Sequence, residues 1–196
     1  MPGIMTVAEE TAEGPLREVV EETKRAYGVF TGVRSVLLAC PPVARPVRDL
    51  NDHLSLRPDS PLTRRQREMI GTVVYGLLGG GSCLGIHTEA LRRLTGDEHL
   101  DERFAHEWHA YDLGPQTRAL LGWARKLTLE PWLVEEADVD ALREAGLDEQ
   151  AIWEATALVG LYGMIGRLEL AAGLRPDRLP ASARFPEAAD DGRGAG

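Results

Sequence analysis

Cysteine is scarce in this chain, with two residues among 196, Cys40 and Cys83. Far apart in sequence, they form neither a disulfide framework nor the short paired spacing of a metal knuckle. Positive charge is short as well. The 22 Lys and Arg face 31 Asp and Glu, a formal net charge of −9. No cationic surplus is left to neutralise nucleic-acid phosphates or an anionic membrane surface. Apolar runs stop well below the roughly 18 to 20 residues that span a bilayer. The stretch from Met1 to Gly14 is acidic and lacks the basic-then-apolar order of a secretory leader. Strand-like alternation is missing too. These absences leave a soluble, acidic protein, large enough for one well-formed core, in a reducing cytoplasm.

What is present has helical period. Pro15 to Tyr27 places Leu16, Val19, Val20 and Tyr27 on one face. Val33 to Ala39 is short and apolar, closed by Cys40-Pro41-Pro42, and Pro42 to Leu54 carries Val43, Val47, Leu50 and Leu54 in a stripe. Pro61 to Leu78 opens polar and then turns Met69, Ile70, Val73 and Val74 inward, until Gly79-Gly80-Gly81 stops it. Further helices are expected over Ser82 to Leu94, Asp97 to Tyr111, Pro115 to Leu127, Val134 to Ala145 and Asp148 to Leu174. The pattern predicts an all-α, single-domain bundle of about eight helices. A flexible N-terminus at 1–13, a helical domain at 14–177 and a disordered tail at 178–196 complete the expected organisation.

The stretch from Glu68 to His87 carries the chemistry. If Ser82 caps the helix after the glycines, Cys83 takes its first position, where free N–H groups and the helix dipole favour thiolate. His87 stands one turn along on the same face, within reach of the sulfur directly or through one water. Blander explanations exist for each residue. A lone cysteine is often a small buried hydrophobe, His87 a satisfied helix histidine, and Glu68 a solvated residue among Arg64, Arg65 and Arg67. Cys40 suggests packing, and is also the only intramolecular partner available to Cys83. His99, His106 and His109 lack a paired carboxylate motif and suggest a solvated face rather than a metal site. The glycine triplet is followed by no Lys-Ser/Thr and makes no phosphate loop. Neither a cofactor nor a metal is expected. Trp108, Trp123, Trp132 and Trp153 belong to a core or a subunit interface.

The string LTRRQREMIGTVVYGLLGGGSCLGIHTEALRRL resembles the signature of the alkylhydroperoxidase D and carboxymuconolactone decarboxylase superfamily. That signature is a glutamate in one helix and Cys-x-x-Cys-x-x-x-His opening the next. VLLACPPVARPVRDL resembles the helix before it, and the run from Arg118 to Leu168 resembles the C-terminal half of the peroxidase-related branch, so that the likeness spans residues 14 to 177. The resemblance places the glutamate on Glu68, the second cysteine on Cys83 and the histidine on His87. It implies a proton relay in which histidine helps deprotonate cysteine, the thiolate attacks a hydroperoxide, and the glutamate steers protons. The first cysteine position is Gly80, so no Cys-x-x-Cys disulfide forms here. Two asparagines usual in the last helix are replaced by Gly163 and Gly166, while Arg167 is kept.

Two functions follow from these residues. One is a thiol-dependent peroxidase-like oxidoreductase with a single activated cysteine, Cys83, assisted by His87 and Glu68. Its oxidised form would be resolved by an external thiol reductant or by Cys40. The other is a cofactor-free decarboxylase, lyase or isomerase of a small organic acid or secondary metabolite, with His87 as general acid/base. In that case Gly80, Gly163 and Gly166 would enlarge the pocket, and Arg167 or Arg65 would clamp a carboxylate. A decayed, non-catalytic member is the third possibility. The partners expected are a small-molecule substrate and further copies of the same chain in a homo-oligomer, with no nucleic acid and no membrane.

Overall fold

The computed structural model describes residues 3–185, and all the regular structure among them is helical. The α-helices are α1 (Pro15–Tyr27), α2 (Gly32–Leu37), α3 (Pro41–Leu56), α4 (Arg64–Leu77), α5 (Ser82–Thr95), α6 (Phe104–Glu107), α7 (Pro115–Leu129), α8 (Glu136–Glu144) and α9 (Glu149–Ala171). The all-α class expected from periodicity is the one observed. None of these helices is long and apolar enough to cross a membrane.

Helix α4 is the axle of the bundle, with α5, α6, α7 and α9 packed around it. It starts on a reciprocal cap. Thr63 Oγ1 accepts from the Gln66 N–H at 3.1 Å, and Gln66 Oε1 accepts from the Thr63 N–H at 2.9 Å. From Gln66 to Gly76 every residue is buried, which is why its apolar stripe broadens into an almost continuous apolar surface. Helix α9, the longest, is fixed at its start by Asp148 Oδ1, which accepts from the Ala151 N–H at 2.7 Å. Lys126 of α7 reaches Asp138 of α8 at 2.6 Å. Helices α2, α3, α4 and α5 leave a cavity between them, and the functional residues gather there.

One segment departs from its helical pattern. Between Asp97 and Tyr111 only Phe104–Glu107 is α-helical, followed by a 3-10 turn at Trp108–Ala110. Asp97 Oδ1 accepts from the His99 N–H and Asp101 Oδ1 from the Arg103 N–H, each at 2.9 Å. These local carboxylate turns take the N–H groups a helix would need. Both ends make contacts with the bundle. Near the N-terminus, the Ile4 N–H donates to Ala171 and the Val7 N–H to Ser35. Beyond Pro176 the chain lies along the bundle as far as Phe185. Asp177 bonds Ser82, the Arg184 N–H bonds the Tyr27 carbonyl at 2.8 Å, and Ala183 is buried. The rest of the expected tail, 186–196, falls outside the described residues.

Candidate active site

Helix α4 ends in Gly79, Gly80 and Gly81 at φ of +101°, +103° and +114°, a left-handed run that glycine alone sustains without strain. The turn brings the start of α5 against α9. There Glu169, with 0% exposure, sets its carboxylate oxygens 3.2 and 3.3 Å from the backbone nitrogen of Cys83. A Cβ on Gly81 would lie 2.5 Å from Glu169 Oε2, so the glycine makes room for the carboxylate. The positive end of α5 is therefore occupied by Glu169 rather than by a thiolate.

Ser82 is the first residue of α5, not its cap, and Cys83 is the second. Ser82 Oγ instead donates to Asp177 at 2.6 Å and accepts from the Val33 N–H at 3.0 Å. The Cys83 thiol has the Glu169 carboxylate and the Tyr75 phenol as polar neighbours. Burial and then the Glu169 carboxylate push the Cys83 thiol well above its ordinary range. Burial also lifts Glu169, to about 7. The thiolate expected at a helix N-terminus is thus corrected: Cys83 rests as a thiol beside a carboxylate of near-neutral affinity for its proton.

Glu68 is 3% exposed and joins two partners. It accepts from Arg64 Nε at 2.6 Å and pairs with His87 Nδ1 at 2.6 Å. Burial pushes this carboxyl up, but His87 and Arg64 together outweigh burial and hold it below its ordinary value. The imidazole fits because Gly71 faces it: a Cβ there would stand 2.6 Å from Nδ1. Its ring stacks on Tyr75, with centroids 5.3 Å apart, and tilts against Tyr162 at 4.9 Å. The Tyr162 hydroxyl shares a hydrogen bond with Ser55 at 2.8 Å. With Nδ1 committed to Glu68, Nε2 is the nitrogen left for a ligand. Of the two routes expected from their spacing, direct or through one water, the direct one is absent: among the described residues His87 makes no bond to the Cys83 sulfur.

Both groups line one cavity of about 150 Å³, the volume of an engineered cavity that holds benzene. Cys83, Tyr75, Glu68 and His87 lie on it, together with apolar Val33, Leu37, Val47 and Ile86. Leu179, Ala183, Arg184 and Phe185 from the C-terminal segment complete the lining. Arg64 also borders it, and its Nη1 is buried without a hydrogen-bond partner.

The structure thus brings Glu68, Cys83 and His87 to one cavity, adds Tyr75 and Arg64 to its lining, and sets Glu169 against Cys83 off the lining. Glu169 left a trace in the sequence, as a lone carboxylate in the apolar run that ends α9. Tyr75 was hidden in the core stripe of α4. Other expectations are corrected. Cys40 is exposed at the start of α3 and does not line the cavity, so it is not a packing residue. Gly80 and Gly166 lie off the cavity, and Gly166 packs against Tyr75 and Leu78. Gly163 and Arg167 border a separate shallow pocket with Leu127, where Arg167 Nη1 donates to the Gly163 carbonyl at 2.7 Å. Arg65 is exposed and likewise off the cavity. His99, His106 and His109 are exposed, and among the described residues no three His, Cys, Asp or Glu side chains converge as metal ligands would.

No protein-family model and no curated protein matches the chain. Solved structures do. An uncharacterized peroxidase-related protein from Silicibacter sp. TM1040 is 27% identical with a TM-score of 0.75, over 90% of this chain and 94% of that one. The alkylhydroperoxidase AhpD core of an uncharacterized peroxidase-related protein from Ralstonia eutropha JMP134 is 28% identical with a TM-score of 0.74, over 82% and 84%. The debrominase Bmp8 in complex with 2,3,4-tribromopyrrole is 17% identical with a TM-score of 0.68, over 90% and 93%, and shares the fold. The helices of the described residues therefore have the fold of the alkylhydroperoxidase D and carboxymuconolactone decarboxylase superfamily, and the chain's structural neighbours are its AhpD-like, peroxidase-related proteins.

Proposed function

We propose that this protein is a thiol-dependent, peroxidase-like oxidoreductase in which Cys83 is the oxidised group and Glu169 takes its proton. What supports this above all is a buried carboxylate, Glu169, bonded to the Cys83 backbone N–H beside its thiol, with Cys83 itself on a substrate-sized cavity. Unaided, fewer than about one in a hundred such thiols would ionise at pH 7. An adjacent base is what makes the thiol a nucleophile, a contribution of about 10² to 10⁴ in rate.

With an organic hydroperoxide, sulfur attacks the terminal oxygen, the O–O bond breaks and an S–O bond forms. The thiol proton passes to Glu169, and the departing alkoxide takes a proton from the Glu68–His87 pair. Sulfur is oxidised by two electrons to sulfenic acid, and the peroxide is reduced to an alcohol. An external small thiol then condenses with the sulfenic acid, releasing water. A second thiol frees Cys83 and leaves as the disulfide. Arg64 borders the same cavity and brings positive charge beside the Glu68–His87 pair.

A ring-sized cavity favours a second class of electrophile. Bmp8 is a debrominase seen with a brominated pyrrole, and a halogenated ring is the corresponding candidate here. The test is oxidation of Cys83 by cumene hydroperoxide, read by mass spectrometry, and turnover with dithiothreitol. Cys83→Ser should abolish both. Full turnover in that variant would refute thiol chemistry and move the function to acid/base catalysis at His87.

A further inference from the structure

The cavity differs in charge from the rest of the molecule. The chain carries a net charge of −9, yet the cavity is bordered by Arg34, Arg48, Arg64 and Arg184 against only Asp52 and Glu68. Glu68 is already bonded to Arg64 and His87. Arg48 has only a long contact to Asp49, at 3.6 Å. Among the described residues neither Arg34 nor Arg184 has a carboxylate partner.

Both border the cavity near the end of α1, Arg34 through its side chain at the Tyr27 ring and Arg184 through its backbone at the Tyr27 carbonyl. The Arg34 guanidinium lies 5.5 Å from the centroid of the Tyr27 ring. The Arg184 backbone N–H holds the Tyr27 carbonyl at 2.8 Å, and its Nη1 donates to the Arg25 carbonyl at 3.1 Å. Each guanidinium has five N–H donors, so most remain unused. Stacking on an aromatic face and tethering to a helix-end carbonyl reduce the freedom each arginine must lose on binding a ligand. Much of the cavity lining is apolar, with Val33, Leu37, Val47 and Ile86 among it.

We infer that the cavity takes a small organic anion, with a carboxylate or similar acidic group between Arg34 and Arg184 at Tyr27 and an apolar body directed toward Cys83. This rests on the proposed function only for what happens at the sulfur; the anion site stands on the arginines alone. Planar, bidentate recognition suits a carboxylate. A neutral compound of the same shape gains the apolar contacts but leaves the guanidinium groups unanswered.

Benzoate and benzamide are the matched probes, titrated by calorimetry into the full chain and into Arg34→Met/Arg184→Met. Arg34→Lys/Arg184→Lys serves as a charge-preserving control, and circular dichroism verifies helicity in each. Benzoate should bind about tenfold more tightly than benzamide, a difference of about 1.4 kcal/mol. The Met pair should erase that preference and the Lys pair restore part of it. Equal affinity for the two probes, undetectable benzoate binding, or an undiminished preference in the Met pair would each overturn the inference. Cys83 alkylation by iodoacetamide in the same samples separates the two proposals. Selective benzoate binding beside an inert thiol would keep the anion site and remove the thiol chemistry. A reactive thiol without anion preference would do the reverse.

Discussion

Replacing Glu169 by glutamine keeps the shape of the carboxyl and removes its proton chemistry, and the consequence for stability can be worked out. The ordinary value of a glutamate is 4.5, and burial lifts Glu169 to about 7. A group raised in the folded state favours folding fully below its unfolded value, and that contribution fades as pH climbs through the folded one. The gap of about 2.5 units, at 1.36 kcal/mol per unit, amounts to about 3 kcal/mol between about pH 4 and about pH 8. Urea unfolding of wild type and Glu169→Gln across that window isolates it. Wild type should lose about 3 kcal/mol relative to the variant as pH rises, whatever fixed offset the amide introduces. Below about pH 8 the Cys83 thiol contributes little to this slope, because its own raised value acts only at higher pH. In the same window wild-type Cys83 should become reactive toward peroxide through about pH 7, while the variant stays slow until the thiol ionises unaided. Stability curves parallel within about 1 kcal/mol would refute the buried, elevated carboxylate. Unchanged peroxide reactivity would refute its role as base.

Gly81→Ala puts a side chain at φ +114° and against the Glu169 carboxylate. It should cost about 1 to 3 kcal/mol in urea unfolding and slow Cys83 oxidation. A variant as stable and reactive as wild type would show that the carboxylate does not need this approach. Trp153 and Trp132, 64% and 74% exposed, are large apolar side chains expected to be covered by another copy of the chain. Light scattering should return a multiple of 21.4 kDa, and a monomer at high micromolar concentration would count against that assembly.

Helices with a clean stripe and a strong stop were legible in the sequence. α4 and α5 lie within three residues of their expected bounds, because a capping box and a glycine run are local signals. Asp97 to Tyr111 was not, since side-chain carboxylates there compete for the same N–H groups as the helix. The site was legible where residues follow one another at helical spacing, as Cys83 and His87 do. Glu169 lies 86 positions beyond Cys83, and no periodicity links them. Only the packing of α9 against the glycine turn decides that this carboxylate, and not a thiolate, receives the free N–H groups of α5. The hydrogen bond between Glu68 and His87 spans 19 positions and depends on the approach that Gly71 permits.

That separation has a consequence in time. During synthesis at about 5 to 20 residues per second, the 86 positions between Cys83 and Glu169 take on the order of ten seconds to add. For that interval the thiol has been made but its carboxylate neighbour has not, and the strap that later lines the cavity has not been made either. A nascent chain therefore exposes Cys83 as an ordinary, unshielded thiol of ordinary acidity. It acquires its carboxylate neighbour and its place on the cavity only once the last helix docks. Oxidative damage to this residue would then record the moment of synthesis as much as the working life of the folded protein.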